Sequence, residues 1–304
     1  MDRRNFLKQI AGWTAGTLLT TPLFEITPEL LAAEAPNARL AVTTGTDVAA
    51  MVKHVLEPLG GIRAFVKPGN RVVVKPNIGW DRSPEQAANT HPDVVVAVVQ
   101  LALEAGAESV AVFDRTCNEE RRCYHNSGIK PALDALDDSR VSCTYVDDRK
   151  YVPVDIARGK SINQWSFYRE ALEADCYINL PVAKHHSLAR LTIGLKNIMG
   201  VLGGRRGNIH QNMGQNLADL NTVIRPSVNI VDATRILLRN GPQGGKVSDV
   251  KTTNTILAST DIVAADAYAT TLFGMRPVDI PATRAAHEMG LGEMDLDRVQ
   301  VIPV

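Results

Sequence analysis

Two apolar runs about a hundred residues apart constrain the fold of this chain more than any other feature. The first is RVVVKPN, from Arg71 to Asn77, and the second is INLPVAKHH, from Ile178 to His186. Uninterrupted apolar runs of this length are typical of strands that are buried on both faces of a parallel sheet. Both runs therefore predict central strands, and both strands end in basic or amide side chains.

Strand-like and helix-like segments alternate along the rest of the chain. THPDVVVAVVQLALEAGA predicts a helix with Thr90 as its N-cap, and the apolar segments RVVVKP and SVAVFD predict the strands on either side. This alternation favours an α/β fold with a mostly parallel sheet and helices on both faces. Residues 150–170 fit neither pattern and are interpreted as a hairpin or as a junction between two lobes. Residues 188–202 predict one helix, with Asn197 opposite its apolar stripe and Lys196 at the edge.

Composition and hydropathy argue against a nucleic-acid-binding protein and against membrane spans beyond the N-terminal region. The 304 residues include 33 Lys and Arg and 33 Asp and Glu, so the formal net charge is +0, and 5% are aromatic. Neither value is typical of a surface that binds nucleic acid through phosphates and base stacking. Beyond the N-terminal region, no stretch has the roughly 18 apolar residues of a membrane span.

The first 35 residues predict a twin-arginine export signal. Arg3 and Arg4 are followed by Phe-Leu-Lys in the register of that signal, and a weakly apolar stretch comes next. We therefore expect the twin-arginine export machinery to be a partner and the α/β domain, residues 36–304, to be periplasmic or otherwise extracytoplasmic. Ala33 and Ala35 suit cleavage, whereas Pro36 does not, so a cleaved signal and an uncleaved membrane anchor both stay open.

Polar residues at the ends of the predicted strands form the candidate site, because ligands of open α/β sheets bind beyond the carboxyl ends of the strands. The ammonium groups of two strand-terminal lysines would bind an anion such as phosphate or carboxylate. The candidate ligand-binding residues are Lys75, Asn77, Lys184, Lys196 and Asn197. The candidate acid–base residues are His91, His185, His186, Asp114 and Asp232.

Each candidate histidine has more than one possible role. His185 and His186 are adjacent, so on an extended chain they point to opposite sides and only one would enter the site. His91 begins a predicted helix, whose dipole favours the neutral ring. His210 is a further candidate ligand for a metal that the sequence does not identify. For His185 and His186 the alternative is a capping or solvated role, and for His91 it is a staple-like structural role at the start of the helix.

The spacing of the cysteines and glycines argues against three common kinds of binding site. The cysteines lack Cys-x-x-Cys spacing, which is typical of iron–sulfur and zinc-ribbon sites, and Cys117 and Cys123 are either a disulfide or free thiols. GVLGGRRGN lacks the Lys-Ser/Thr ending of a phosphate-binding Walker loop and follows a predicted helix. We interpret it as a mobile basic loop, with Arg205 and Arg206 at the rim of the anion site.

Ordered motifs carry a family resemblance across most of residues 65–275. They are VVVKPNIGW, HPDVVVAVVQLALEAGAESVAVFD, INLPVAKHHSLARLTIGLKNIMGVLG, LADLNTVIRPSVNIVDAT, NGPQGG and ILASTDIVAADAYAT. The chain thereby resembles the family known as domain of unknown function three-six-two, which implies no settled activity. Some members carry ferredoxin-type cysteine motifs, and this sequence has none. A looser likeness, in fold and style of site, is to lactate-racemase-like proteins.

Together these features predict an exported protein with a cleft for a small anionic ligand or for a cofactor that the sequence does not identify. Acid–base groups in hydrogen-bond reach of each other would favour an enzyme, with or without a metal. Lysines without a positioned base would favour a non-catalytic periplasmic binding protein for an anionic metabolite or a metal complex. A third reading is a scaffold whose polar strand ends are simply solvated.

Overall fold

The computed structural model describes residues 38–304, and the predicted export signal lies outside them. The strands are β1 (Ala38–Thr44), β2 (Arg71–Pro76), β3 (Ser109–Val112), β4 (Val141–Cys143), β5 (Tyr151–Asp155), β6 (Gln164–Tyr168), β7 (Cys176–Leu180), β8 (Val182–His186), β9 (Arg190–Thr192), β10 (Val228–Leu237), β11 (Val250–Ser259) and β12 (Val299–Pro303). The α-helices are α1 (Val48–Leu56), α2 (Ile62–Phe65), α3 (Pro92–Glu104), α4 (Glu120–Asn126), α5 (Ile129–Asp134), α6 (Arg169–Glu173), α7 (Gly194–Asn197), α8 (Met213–Leu220), α9 (Ile262–Thr271) and α10 (Pro281–Glu288).

Ten of these strands form one mixed sheet. Its order is β12-β1-β11-β10-β7-β2-β3-β4, and β8 extends beside β10 and carries β9. The run from β10 through β7, β2 and β3 to β4 is parallel, whereas β11 is antiparallel to both of its neighbours. The predicted α/β fold with a mostly parallel sheet is confirmed.

The valines of β2 show why its sequence is an uninterrupted apolar run. Val72 and Val74 pack into one hydrophobic core with residues of α1 and α3, and Val73 packs into a second core on the opposite face with α8 and α10. Because successive side chains of a strand alternate between faces, a sheet covered on both sides requires apolar residues at every position. Lys75 continues the alternation toward the second face.

The predicted helix over residues 188–202 is wrong. β8 and β9 form a tight hairpin, in which Arg190 adopts a left-handed conformation with φ 66°. The α-helix α7 begins only at Gly194, where the carboxylate of Asp266 accepts hydrogen bonds from the amides of Gly194 and Leu195 at 2.7 and 3.0 Å. As a result, Leu188 is 68% exposed, and Lys196 and Asn197 are both buried.

Residues 150–170 contain the β5–β6 hairpin, one of the two structures predicted for this segment. The amide of Gly203 donates to the carbonyl of Ser166 at 2.8 Å and ties this hairpin to the loop that follows α7. All four cysteines are free, with Cys117 exposed and Cys123 buried. Across residues 38–304, the structure contains no helix that is both long and apolar enough to span a bilayer.

Candidate functional site

A cleft of about 580 Å³ opens beyond the carboxyl ends of β2 and β3 and along β8. This volume is in the range of small-molecule sites. Its charged and polar lining side chains include Asn77, Asp114, Arg115, Thr116, Cys117, Lys184, His186, Ser187, Thr192, Lys196, Asn197, Arg206 and His210. Trp80, Leu188, Met199 and Pro242 contribute apolar surface. Six of the ten sequence-predicted site residues therefore line one cavity: Asn77, Asp114, Lys184, His186, Lys196 and Asn197.

Lys75 lies behind the wall of this cleft. Its side chain is 0% exposed, its Nζ lies 2.9 Å from Oδ1 of Asp114, and it donates to the carbonyl of Pro76 at 2.6 Å. Burial lowers the pKa of Lys75, and the Asp114 carboxylate opposes that shift. The other oxygen of Asp114 accepts from the amide of Ile78 at 2.6 Å. The ion pair thus joins the ends of β2 and β3 and cancels the negative charge of the cleft wall.

Lys184 is the basic residue at the floor of the cleft. It pairs with Thr192 across the β8–β9 hairpin, so both side chains are on the same face. Its Nζ donates to Oδ1 of Asn77 at 2.9 Å and to the carbonyl of Ala88. Burial lowers the pKa of Lys184 to about 7, and the nearby Asp114 carboxylate opposes this shift only in part.

Lys196 adds a second buried amine. It is 9% exposed, and its Nζ contacts the sulfur of Met199 at 3.1 Å. Burial lowers its pKa to about 8. No carboxylate in residues 38–304 forms an ion pair with Lys184 or Lys196, so neither amine has a fixed counter-charge.

The arginines of the cleft bind backbone rather than carboxylates. Arg206 donates to the carbonyls of Arg115 and Thr116, each at 2.8 Å, and Arg115 donates to the carbonyl of Leu202 at 2.9 Å. These contacts hold the loop after α7 over the cleft while leaving both positive charges uncompensated. Arg205, which was predicted beside Arg206 at the rim, is exposed and does not line the cleft.

His186 enters the cleft as a neutral hydrogen-bond donor. Its Nδ1 accepts from the amides of Leu188 and Ala189, both at 3.1 Å, so the ring proton is assigned to Nε2. Burial, together with nearby positive charges, lowers the pKa of His186 to about 3. Its ring stacks with that of His210 at a centroid distance of 6.0 Å, and burial lowers the pKa of His210 as well.

The remaining predicted residues serve local structure. Strand alternation turns His185 away from the cleft, where its Nδ1 accepts from the amide of Gly241 at 3.1 Å. Asp232 accepts from the amide of His91 at 2.7 Å and from the hydroxyl of Thr234, also at 2.7 Å. His91 caps α3 by accepting from the amide of Asp93. None of these three predicted residues lines the cleft.

Asn197 lines the cleft but is held in a buried amide network. It donates to the carbonyl of Lys75 at 2.8 Å and to Oδ1 of Asn179 at 2.9 Å, and Asn179 donates to Asn229 at 2.9 Å. This network fastens α7 to β2, β7 and β10. The only sequence signal for Asn179 is its position as a lone amide inside the apolar strand INL.

Sequence reasoning also missed Thr192 and Gly200. The hydroxyl of Thr192 is buried, lines the cleft, and has no hydrogen-bond partner among the described residues. A side chain at Gly200 would overlap both Lys75 and Asp114, so only glycine fits beside the ion pair. Thr192 lay inside a segment predicted to be helical, and its cross-strand pairing with Lys184 could not be read from that prediction.

Metal binding by side chains alone finds no support in residues 38–304. No group of three or more His, Cys, Asp or Glu side chains in that range is arranged to hold an ion. Of the histidines that the structure describes, His186 and His210 line the cleft, and Nδ1 of His186 already accepts hydrogen bonds from two amides.

This chain resembles known proteins by a family model, by sequence identity and by fold. A family model described as Domain of unknown function (DUF362) matches residues 72–271. A thylakoid-associated protein of Synechocystis sp. is 32% identical over 257 residues, which are 80% of this chain and 75% of that protein. The lactate racemase apoprotein of Thermoanaerobacterium thermosaccharolyticum superposes with a TM-score of 0.51 at 11% identity and covers 78% of this chain.

The likeness to the lactate racemase structure is one of fold alone. This chain spans 57% of the lactate racemase chain. It spans 59% of a structural-genomics protein from Thermotoga maritima, at a TM-score of 0.43, 10% identity and 79% coverage of this chain. The family model and the cyanobacterial relative both extend over the strands that build the cleft. On that evidence, the chain belongs to the family described as Domain of unknown function (DUF362).

Proposed function

We propose that the cleft binds a small anionic ligand through Lys184, Lys196 and Thr192. The observation that carries this proposal is that the cleft has more hydrogen-bond donors than the surrounding described residues have acceptors to pair with them. Lys184 and Lys196 have no carboxylate partner among the described residues, and the buried hydroxyl of Thr192 has no partner there at all. Buried polar groups in native proteins are almost always hydrogen-bonded. An oxyanion would satisfy all three groups at once.

The charge balance of the cleft supports the same proposal. Among residues 38–304, Asp114 is the one carboxylate that lines the cleft, and the buried Lys75 already neutralises it. Lys184, Lys196, Arg115 and Arg206 then leave the cleft positive whenever the two lysines are protonated. Nε2–H of His186 adds a neutral donor. A site of this kind attracts anions and excludes cations.

Binding rather than histidine-based catalysis is the function that this geometry supports best. Within residues 38–304, no histidine–carboxylate pair faces the cleft, because His91 and Asp232 lie elsewhere and His186 is held neutral. We place this function outside the cytoplasm, because residues 3–8 carry the twin-arginine pattern.

Calorimetry of residues 36–304 with inorganic phosphate, small carboxylates and mononucleotides tests the proposal. A charge-assisted hydrogen bond contributes roughly 1.5–3 kcal/mol, so Lys184→Met and Lys196→Met should each weaken binding about ten- to a hundred-fold. Thr192→Val keeps the shape and removes the hydroxyl, so it should weaken binding less.

Lys53→Met is the matched control, because Lys53 is an exposed lysine on α1, outside the cleft. The proposal fails if none of these anions binds. It also fails if an anion binds equally well to Lys184→Met, Lys196→Met and Lys53→Met.

A further inference from the structure

We infer that Lys184 is a nucleophilic amine, which forms an imine with the carbonyl carbon of a ligand whose anionic group lies against Lys196. The ligand class is therefore a small aldehyde or ketone that carries a carboxylate or a phosphate. The anionic half of this description rests on the proposed function, whereas the reactive amine rests on the surroundings of Lys184 itself.

The hydrogen bonds of Lys184 suit a neutral amine. A neutral amine has two N–H bonds and a lone pair, and the two acceptors around Nζ are Oδ1 of Asn77 and the carbonyl of Ala88. An ammonium ion would have a third N–H bond, for which residues 38–304 supply no acceptor. With both N–H bonds directed to the wall, the remaining lone pair is available to the cleft that Lys184 lines.

The charges around Lys184 also favour the neutral form. Lys75 on β2 and Lys196 on α7 repel a proton on Nζ, whereas Asp114 after β3 attracts one, as Cys117 would in its thiolate form. Arg206 and His186 line the same cleft, and His186 carries no charge. The largest effect is burial, since Lys184 is 1% exposed. Desolvation and a neighbouring cation are the two conditions that activate lysine nucleophiles.

The reaction balances without an oxidant or reductant. The lone pair of Nζ attacks the carbonyl carbon, the C–N bond forms, and the carbonyl oxygen receives a proton that Nζ loses. The resulting carbinolamine then loses its hydroxyl as water, with a proton from the ammonium of Lys196, and the second N–H proton returns to Lys196. The products are the imine and one molecule of water, and hydrolysis reverses the reaction.

The test is reductive trapping on the unmodified chain of residues 36–304. Glyoxylate and pyridoxal 5′-phosphate are added separately with cyanoborohydride at pH 6 to 10, and peptide mapping follows the modification of each lysine over time. We expect the Lys184 peptide to be labelled at neutral pH at least about ten-fold faster than the Lys53 peptide, because one pKa unit changes the neutral fraction about ten-fold. Its rate should level off above pH 7 to 8, whereas the labelling of a free lysine amine, whose pKa is about 10.4, should still rise.

Two further measurements sharpen the test. Lys196→Met should slow the labelling of Lys184 at pH 7 relative to Lys53→Met, because it removes the proton donor and the partner of the anion. Inorganic phosphate should protect Lys184 and leave exposed lysines unprotected. Labelling of Lys184 no faster than that of exposed lysines overturns the inference.

The outcomes also separate this inference from the proposed function. If phosphate binds by calorimetry but Lys184 is never trapped, the imine is wrong and the anion site stands. If Lys184 is trapped rapidly but phosphate neither binds nor protects it, the reactive amine stands and the proposed anion site fails.

Discussion

The ammonium of Lys75 lies 2.9 Å from the carboxylate of Asp114, and both side chains are buried. The pair joins the ends of two adjacent parallel strands and separates Lys75 from the cleft. Of the two strand-terminal lysines, only Lys184 thus faces the space where a ligand would lie. The same residue type at the same kind of strand end has a structural role in one case and a candidate functional role in the other.

Breaking the ion pair should destabilise the fold. Lys75→Met would leave the Asp114 carboxylate buried without its cation, which typically costs about 3–5 kcal/mol. Urea unfolding of the wild type and the variant measures this loss. Lys75→Met combined with Asp114→Asn should recover part of it, because the amide carries no charge. A single variant as stable as the wild type would contradict a structural role for Lys75.

Gly200 should tolerate no side chain. A Cβ atom there would overlap Asp114 and Lys75, so Gly200→Ala must displace the ion pair and should cost at least about 1–3 kcal/mol. Gly207→Ala is the matched control, since Gly207 lines the same cleft and nothing lies within 4 Å of an added Cβ. Thermal unfolding should separate the two variants, and equal melting temperatures would refute this packing argument.

Lys196→Met should stabilise the ligand-free protein. Burial lowers the pKa of Lys196 to about 8, so at pH 7 the folded chain retains a desolvated ammonium without a counter-charge. Methionine in its place should raise the free energy of unfolding by about 1–3 kcal/mol at pH 7. The gain should shrink above pH 8, where the lysine is already neutral. A destabilised variant at pH 7 would show that Lys196 has a structural partner.

The affinity of the cleft for an anion should fall as the pH rises. An anion binds the protonated amines, and the pKa values of Lys184 and Lys196 are about 7 and about 8. Affinity should therefore be constant below about pH 6.5 and fall as the pH rises through 7 to 8, with proton uptake on binding in that window. Calorimetry in buffers of different ionisation enthalpy measures the uptake. Affinity that rises with pH would exclude these amines as the anion ligands.

The free energy of unfolding of the ligand-free protein should rise with pH, in contrast to the anion affinity. Burial lowers the folded-state pKa of Lys184 from the ordinary lysine value of 10.5 to about 7, so between about pH 7 and pH 10 the unfolded chain binds more protons than the folded one. The contribution of Lys184 to the free energy of unfolding thus rises with pH across that window. Lys184→Met should remove this contribution, which denaturant unfolding of both chains at pH 6.5 and 9.5 would detect.

Export should depend on the paired arginines. On the proposed twin-arginine route, the export machinery would recognise Arg3 and Arg4, so changing both to lysine should leave the precursor in the cytoplasm. Cell fractionation of the wild type and the Lys-Lys variant measures this. A single Lys53→Met change should leave export intact. Normal export of the Lys-Lys variant would contradict the predicted route.

The fold class and the approximate position of the site follow from the amino-acid sequence alone. Apolar runs such as Val72 to Val74 reveal strands covered on both faces, because every position must then be apolar whichever way it points. Parallel strands share their carboxyl edge, so the polar residues that follow such runs are expected near one another. Asn77, Asp114 and Lys184 do line one cleft.

Which polar groups enter that cleft depends instead on contacts between residues that are distant in sequence. Lys75 and Lys184 have similar local sequences, and the position of Asp114, which depends on the pairing of β2 with β3, buries one of them in an ion pair. The apolar spacing of residues 188–202 fits a helix. The left-handed turn at Arg190 and the cap from Asp266, far along the chain, end β9 and start α7 instead. Local patterns encode periodicity, whereas partners distant in sequence determine which side chains are neutralised and which stay available to a ligand.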